Sequence, residues 1–278
     1  MSEATGSGTR LTAAEIFRIA VRTGEDELKR SSAGLGLSGL AAGLGMGLTG
    51  LGSAALIATT GAHGPLASLV GAVLYPLGFI VVVVGRAQLY TENTLFPVVL
   101  VLERRRHLRN TLRLWGVVFA ANVLGALLFA VLAMKTPALQ TPLRTALAEL
   151  GTRAATGGSF VGLFWAGVLG GWIIALMAWL VSAARFTMGQ IVLIYLMTFV
   201  VGAAHLAHCI AGSGEALCAV LAGNIGGGTY VGWLTAATLG NTVGGVLIVS
   251  LLNYGQVMGS GRDVARAERS LADIEDGR

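Results

Sequence analysis

The feature that most constrains this chain is the length of its charge-free runs. No Asp, Glu, Lys or Arg occurs between Arg30 and Arg86, and none occurs within 114–134, 154–184, 186–214 or 216–261. A helix needs about 20 apolar residues to cross a hydrocarbon core roughly 30 Å thick, so these runs belong in lipid. Composition agrees, with 54% of residues hydrophobic and 12% charged, where a soluble domain carries about 25% charged residues. Residues 1–30 are polar and charged and lack the short apolar core of a cleaved signal peptide. Cys209 and Cys218 sit in apolar surroundings and read as free, buried thiols.

The runs divide into an all-α membrane protein of six spans. Gly61-Ala-His63-Gly-Pro65 reads as a turn and separates span one (34–59) from span two, which starts at 66; His63 is a solvated residue of this turn. Span three is expected at 112–133, span four at 159–183, span five from 187 to 222 and span six at 231–256. Basic residues set the orientation. Fifteen of the nineteen (Arg10, Arg18, Arg22, Lys29, Arg30; Arg104, Arg105, Arg106, Arg109, Arg113; Arg185; Arg262, Arg266, Arg269, Arg278) fall on one side if the N-terminus is cytoplasmic. Lys135, Arg144 and Arg153 fall on the other. This bias places both termini in the cytoplasm and explains the net charge of +5 without invoking nucleic acid.

Spans two and five are interrupted. The stretch from Leu66 to Leu102 would exceed roughly 50 Å as one helix, and its middle holds Gly85-Arg86-Ala-Gln88-Leu-Tyr90-Thr91-Glu92-Asn93-Thr94. A central charge costs about 2.5–3.5 kcal/mol even on a lenient scale, so a helix, an irregular loop and a half-helix are expected there. Span five breaks likewise at His205-Leu-Ala-His208-Cys-Ile-Ala-Gly212-Ser-Gly214-Glu215. Irregular backbone at membrane depth is tolerated only where protein buries it or where it lines a cavity.

Each break precedes a helix with Asn-x-x-Gly: Asn122 with Gly125, and Asn241 with Gly244. Three spans per half is an odd number, so the halves run in opposite senses, an inverted repeat whose broken helices meet near the midplane. Span one (Gly34, Gly36, Ser38, Gly39, Gly43, Gly45, Gly47) and span four (Gly162, Gly167, Gly170, Gly171) carry small residues suited to close packing in lipid.

These residues resemble the formate/nitrite transporter family. Arg86-Ala-Gln88-Leu-Tyr90-Thr91 is similar to its first loop motif, Gly-Ala-(Asp/Glu)-Leu-Phe-Thr. His208-Cys-Ile210-Ala matches the His-x-Ile-Ala of its second break, and Gly240-Asn241-Thr-Val-Gly244-Gly245 matches the start of its last helix. The resemblance implies an aquaporin-like fold, a homopentamer and one pore per subunit, with His208 and Thr91 at its centre. It implies an outer constriction of Tyr75, Phe79 and Val201 and an inner one of Leu89 and Ile174. Asn122 and Asn241, the polar residues of the repeated helices, complete the expected solute-contacting set. The chain departs from the family at Ala207, Gly212 and Gly171, where polar residues are usual, and near Ala155, where a basic residue is usual and Arg153 is the nearest substitute. It adds Arg86, Glu92 and Glu215, which read as an ion pair pinning the two loops.

The expected function is a channel or transporter for small monovalent anions or their weak acids, resident in the cytoplasmic (inner) membrane. A bare anion crosses an apolar constriction only at great desolvation cost; a central imidazole can lend a proton or a hydrogen bond. The alternatives are a neutral-solute channel of aquaporin type, although neither break contains Pro, and a non-transporting scaffold or sensor that keeps the fold. No enzyme activity is expected. No cofactor or metal is expected either, since His205, His208 and Cys209 lack further carboxylates or thiols at ligand spacing. Residues 1–30 open with the capping box Thr12-Ala-Ala-Glu15 and read as a cytoplasmic amphipathic helix. Residues 31–257 form the channel domain and 258–278 a charged cytoplasmic tail.

Overall fold

The computed structural model describes residues 11–103 and 107–259, and among these every regular element is helical. The basic cluster at 104–106 and the tail from 260 onward lie outside the described residues. Helix α1 (Ala13–Lys29) begins on the Thr12 capping box, in which Thr12 and Glu15 bond each other reciprocally. Helix α2 (Ser32–Thr60) follows the Ser31 cap and stops at Gly61, whose φ of 62° requires a residue without Cβ strain. Helices α3 (Gly64–Leu74) and α4 (Pro76–Val84) form one apolar run of 21 residues, notched where Pro76 removes a backbone donor. Then come the first break, a 3₁₀ turn at Glu92–Thr94 and the half-helix α5 (Phe96–Glu103). Helix α6 (Leu108–Lys135) closes the first half.

The second half repeats this order. Helix α8 (Phe160–Ala183) corresponds to α2, α9 (Thr187–Ala203) to α3 and α4, α10 (Ala211–Ala222) to α5 and α11 (Gly227–Val243) to α6. Beyond Val243 the last span passes through a π-helical turn, Gly244–Ser250, in which Ser250 donates to the Thr94 carbonyl at 3.1 Å and ties span six to the first break. Between the halves lies α7 (Thr141–Thr156), an element absent from the sequence expectations. It has Pro in its first turn and buries Ala146, Leu147, Ala148, Gly151 and Ala155 against α10 and α2.

Among the described residues five helices are long and apolar enough to cross a membrane; the remaining expected span is the pair α9 and α10, each too short alone. Within each half the first helix packs on the last, α2 on α6 and α8 on α11. Glycine sets that spacing. A Cβ on Gly43 would overlap the Asn122 carbonyl, and one on Gly171 would overlap the Asn241 carbonyl. The half-helix α10 reaches across to α2, α6 and α7, so the halves are interlocked rather than juxtaposed. Leu66, Leu69, Val73, Leu124, Leu128 and Leu196 stay exposed on the outer faces of spans two, three and five, a surface suited to lipid or to a neighbouring subunit.

Candidate permeation path

Both breaks begin with the same backbone closure. Arg86 N–H donates to the Val83 carbonyl and Ala87 N–H to that of Val82; His205 N–H donates to Gly202 and Leu206 N–H to Val201. Such a closure needs one left-handed residue, supplied by Arg86 (φ 58°) and His205 (φ 52°), the two non-glycine residues with positive φ among those described. Each break is then pinned by an asparagine. Asn122 Oδ1 accepts from Tyr90 N–H at 2.8 Å, and its amide donates to the carbonyls of Gly39 and Gln88, both at 2.8 Å. Asn241 Oδ1 accepts from Cys209 N–H at 2.8 Å, and its amide donates to Gly167 and Ala207, both at 2.8 Å. Irregular backbone buried in an apolar bundle must find such partners.

This geometry corrects the expectation for Asn122 and Asn241. Both are fully buried, and their amides are spent on backbone groups, so they hold the loops and do not contact solute.

The breaks meet. Thr91 Oγ1 lies 2.7 Å from His208 Nε2. The Nδ1 of the same ring accepts from Ala211 N–H at 3.0 Å, capping the start of α10. An acceptor nitrogen carries no proton, so the ring proton sits on Nε2, which donates to the Thr91 hydroxyl. Asymmetric packing holds the ring: Phe79 meets it edge-on with centroids 5.0 Å apart, and Tyr75 lies 5.7 Å beyond Phe79.

Two cavities approach this pair. One, called outer after the expected orientation as its counterpart is called inner, has a volume of about 630 Å³ and is lined by Tyr75, Val201, His205, His208, Glu215 and Arg153 among others. The inner one, about 330 Å³, is lined by Leu89, Arg86, Gln88, Glu92 and, from α1, Ile19 and Glu27 among others. Phe79, Ile174 and Thr91 line neither, and Phe79, Leu89, Ile174 and Val201 are fully buried. Of the five expected constriction residues, Phe79 touches His208, Tyr75 and Val201 line the outer cavity with it, Leu89 lines the inner one, and Ile174 is buried away from both cavities.

The expected ion pair is not present. Among the described residues the ion pairs within 4.0 Å are Lys29–Asp26 and Arg30–Glu27. Arg86 and Glu92 share the inner cavity without touching, while Glu215 lines the outer one. Arg86 is exposed and lines that cavity. The family departures also find reasons. Gly171 faces the Asn241 backbone rather than either cavity, and the indole of Trp233 occupies the space beside Gly212, 2.6 Å from where a Cβ would stand.

Tyr90 was quoted only as part of a loop motif, yet it packs edge-on against Trp115 and Phe119 and shares a 2.9 Å hydrogen bond with Thr242. An aromatic beside Thr91 was the available signal. Arg153 reaches the outer cavity from α7, a helix that charge-free runs could not reveal.

A membrane bundle with two interrupted helices and cavities converging on a polar pair is a channel or transporter fold of the inverted-repeat class. Residues 14–255 match the family described as Formate/nitrite transporter. The chain belongs to the formate/nitrite transporter family. It is 32% identical to the inner membrane protein YfdC of Escherichia coli over 253 residues, covering 88% of this chain and 79% of that one. It is 27% identical to a probable formate transporter of Methanothermobacter thermautotrophicus over 214 residues, 71% of this chain and 78% of the relative. Among solved structures, a pentameric formate channel with formate bound superposes with a TM-score of 0.70 at 20% identity, covering 83% of this chain and 99% of that one. An FNT family ion channel superposes at 0.69 and 20% identity, over 88% and 96%.

Proposed function

We propose that the chain carries small monovalent weak acids or their anions, of the formate and nitrite kind, along a path through the Thr91–His208 contact. The carrying observation is that two neutral donors, the Nε2–H of His208, which donates to the Thr91 oxygen until a solute displaces it, and the hydroxyl of Thr91, stand together between two cavities inside an apolar collar. A solute at this point exchanges a shell of water for two hydrogen bonds, and strips off the rest against Phe79, Leu89 and Ile174. Because Ala211 N–H occupies Nδ1, adding a proton to the ring would uncap α10. The histidine therefore serves as a hydrogen-bond donor through Nε2 and leaves proton delivery to other groups.

The start of α10 adds the positive end of a helix dipole at the same depth. Both termini in the cytoplasm, as the basic residues direct, place the Arg86 cavity inside and the Glu215 cavity outside. The fold likeness to a pentameric channel supports a homopentamer in the cytoplasmic membrane, with one path per subunit.

The test is stopped-flow flux into proteoliposomes across a pH series, with formate, nitrite, acetate and lactate as solutes. Flux of at least one of them that is lost in His208→Ala is expected. Equal flux through wild type and His208→Ala, or none above empty liposomes for any solute, overturns the reading.

A further inference from the structure

The outer cavity holds an acidic group that the path does not use. Glu215 is only 8% exposed, yet it forms no hydrogen bond or ion pair among the described residues and lines the wall leading to His208. Its side chain is wedged against the Cα of Gly50, where a Cβ would come within 2.7 Å of Glu215 Cγ, while its backbone carbonyl lies against Gly151 of α7. The helices around it leave it unneutralised. From α2 it meets Gly50, with no titratable group, and α6 brings Lys135, whose Nζ donates to the Leu221 carbonyl near the far end of α10. From α7, Arg153 lines the same cavity but stands exposed at its rim, beyond ion-pair distance. The second break brings His205 and His208, the junction of α3 and α4 brings Tyr75, and α11 brings Tyr230, already bound to Ser213. Cys218 follows one turn along the same helix, a buried free thiol.

Resting on the weak-acid reading above, we infer that Glu215 determines which form of the solute passes: its carboxylate bars the free anion from the outer cavity, so the solute reaches His208 as the undissociated acid. A cavity with low-dielectric walls concentrates the field of a single charge and depletes ions of like sign by tenfold or more. A neutral acid feels no such barrier and can donate its own O–H to the carboxylate on the way. Protonation of Glu215 removes the discrimination, so the anion gains access only on acidification of the outer side. This sets the chain apart in chemistry from a vestibule that gathers anions by positive charge.

The test uses the full-length protein in oriented proteoliposomes, with labelled formate and nitrite, and varies pH on one face at a time. With wild type, flux from the outer face rises on outer acidification more steeply than the supply of undissociated acid does. Glu215→Gln, which keeps shape and removes charge, is expected to raise flux about tenfold at alkaline outer pH, with the gain closing as the outer pH falls and independent of the inner pH. Measurable wild-type flux with an unaltered profile in Glu215→Gln overturns this inference alone. Absence of flux in both overturns the functional reading beneath it. If Glu215→Gln does not assemble, the wild-type profile decides: a response that merely tracks undissociated acid overturns the proposal.

Discussion

Asn122 and Asn241 stand in the same relation to two different breaks: each side-chain oxygen accepts from a loop N–H at 2.8 Å and each amide donates twice, to the loop and to the first helix of its own half. Both halves need one side chain that satisfies three backbone groups at once.

Asn122→Ala and Asn241→Ala should therefore destabilise by similar amounts, about 2–5 kcal/mol each, since each strands buried backbone groups. Asp should not rescue either, because a carboxylate cannot donate to the two carbonyls. Thermal unfolding in detergent, read by loss of the native oligomer on sizing, checks this. A small loss for one and a large loss for the other would show that the repeat is not mechanically equivalent.

The Thr91–His208 contact separates a hydroxyl requirement from a shape requirement. Thr91→Ser should keep flux within about threefold, whereas Thr91→Val, of equal size, should lose about tenfold, the worth of one hydrogen bond. Solute flux on matched protein densities is the measurement. Equal flux in both variants would make the threonine a packing residue.

Gly212 and Trp233 form a steric couple. Gly212→Asn puts a polar residue there, as the resemblance leads one to expect, yet it should destabilise and misassemble, since the indole already fills that space and overpacking costs about 1–3 kcal/mol. Adding Trp233→Ala should recover assembly. Recovery is read by thermal stability of the double variant against each single one.

The N-terminal capping box gives a pH dependence outside the membrane. Hydrogen bonds from the Thr12 backbone and side chain hold the Glu15 carboxyl below its usual value of 4.5. A depressed folded value means that the contribution to α1 is present above the unfolded value and is lost as pH falls through the folded one. Amide exchange in the first turn of α1 should accelerate below about pH 4.5, and Glu15→Gln should remove that dependence.

Most of the architecture was readable because lipid imposes a one-dimensional rule: charge-free length gives the spans, and Gly61 with Pro65 marks the first turn. The breaks were readable for the same reason, since Arg86 and the His205–Glu215 stretch violate that rule. What sequence left open was direction. Asn122 is a polar residue in an apolar helix whether it faces solute or a loop carbonyl, and only packing decides. The expected ion pair failed on the same point: Arg86 and Glu215 share a break pattern, yet each lines its own cavity. Helix α7 stayed hidden because, between Lys135 and Arg153, it is neither long nor apolar, and its buried face needs α10 to be recognised.

Arg86 and His205 occupy matching corners of the two halves, one guanidinium and one imidazole, on an otherwise duplicated scaffold. A skeleton that looks alike from both compartments has no preferred sense of travel of its own. Any rectification must come from the few side chains on which the copies disagree, so the easier of the two senses of passage should be open to reversal by exchanging residues between the mouths without redesigning a single helix.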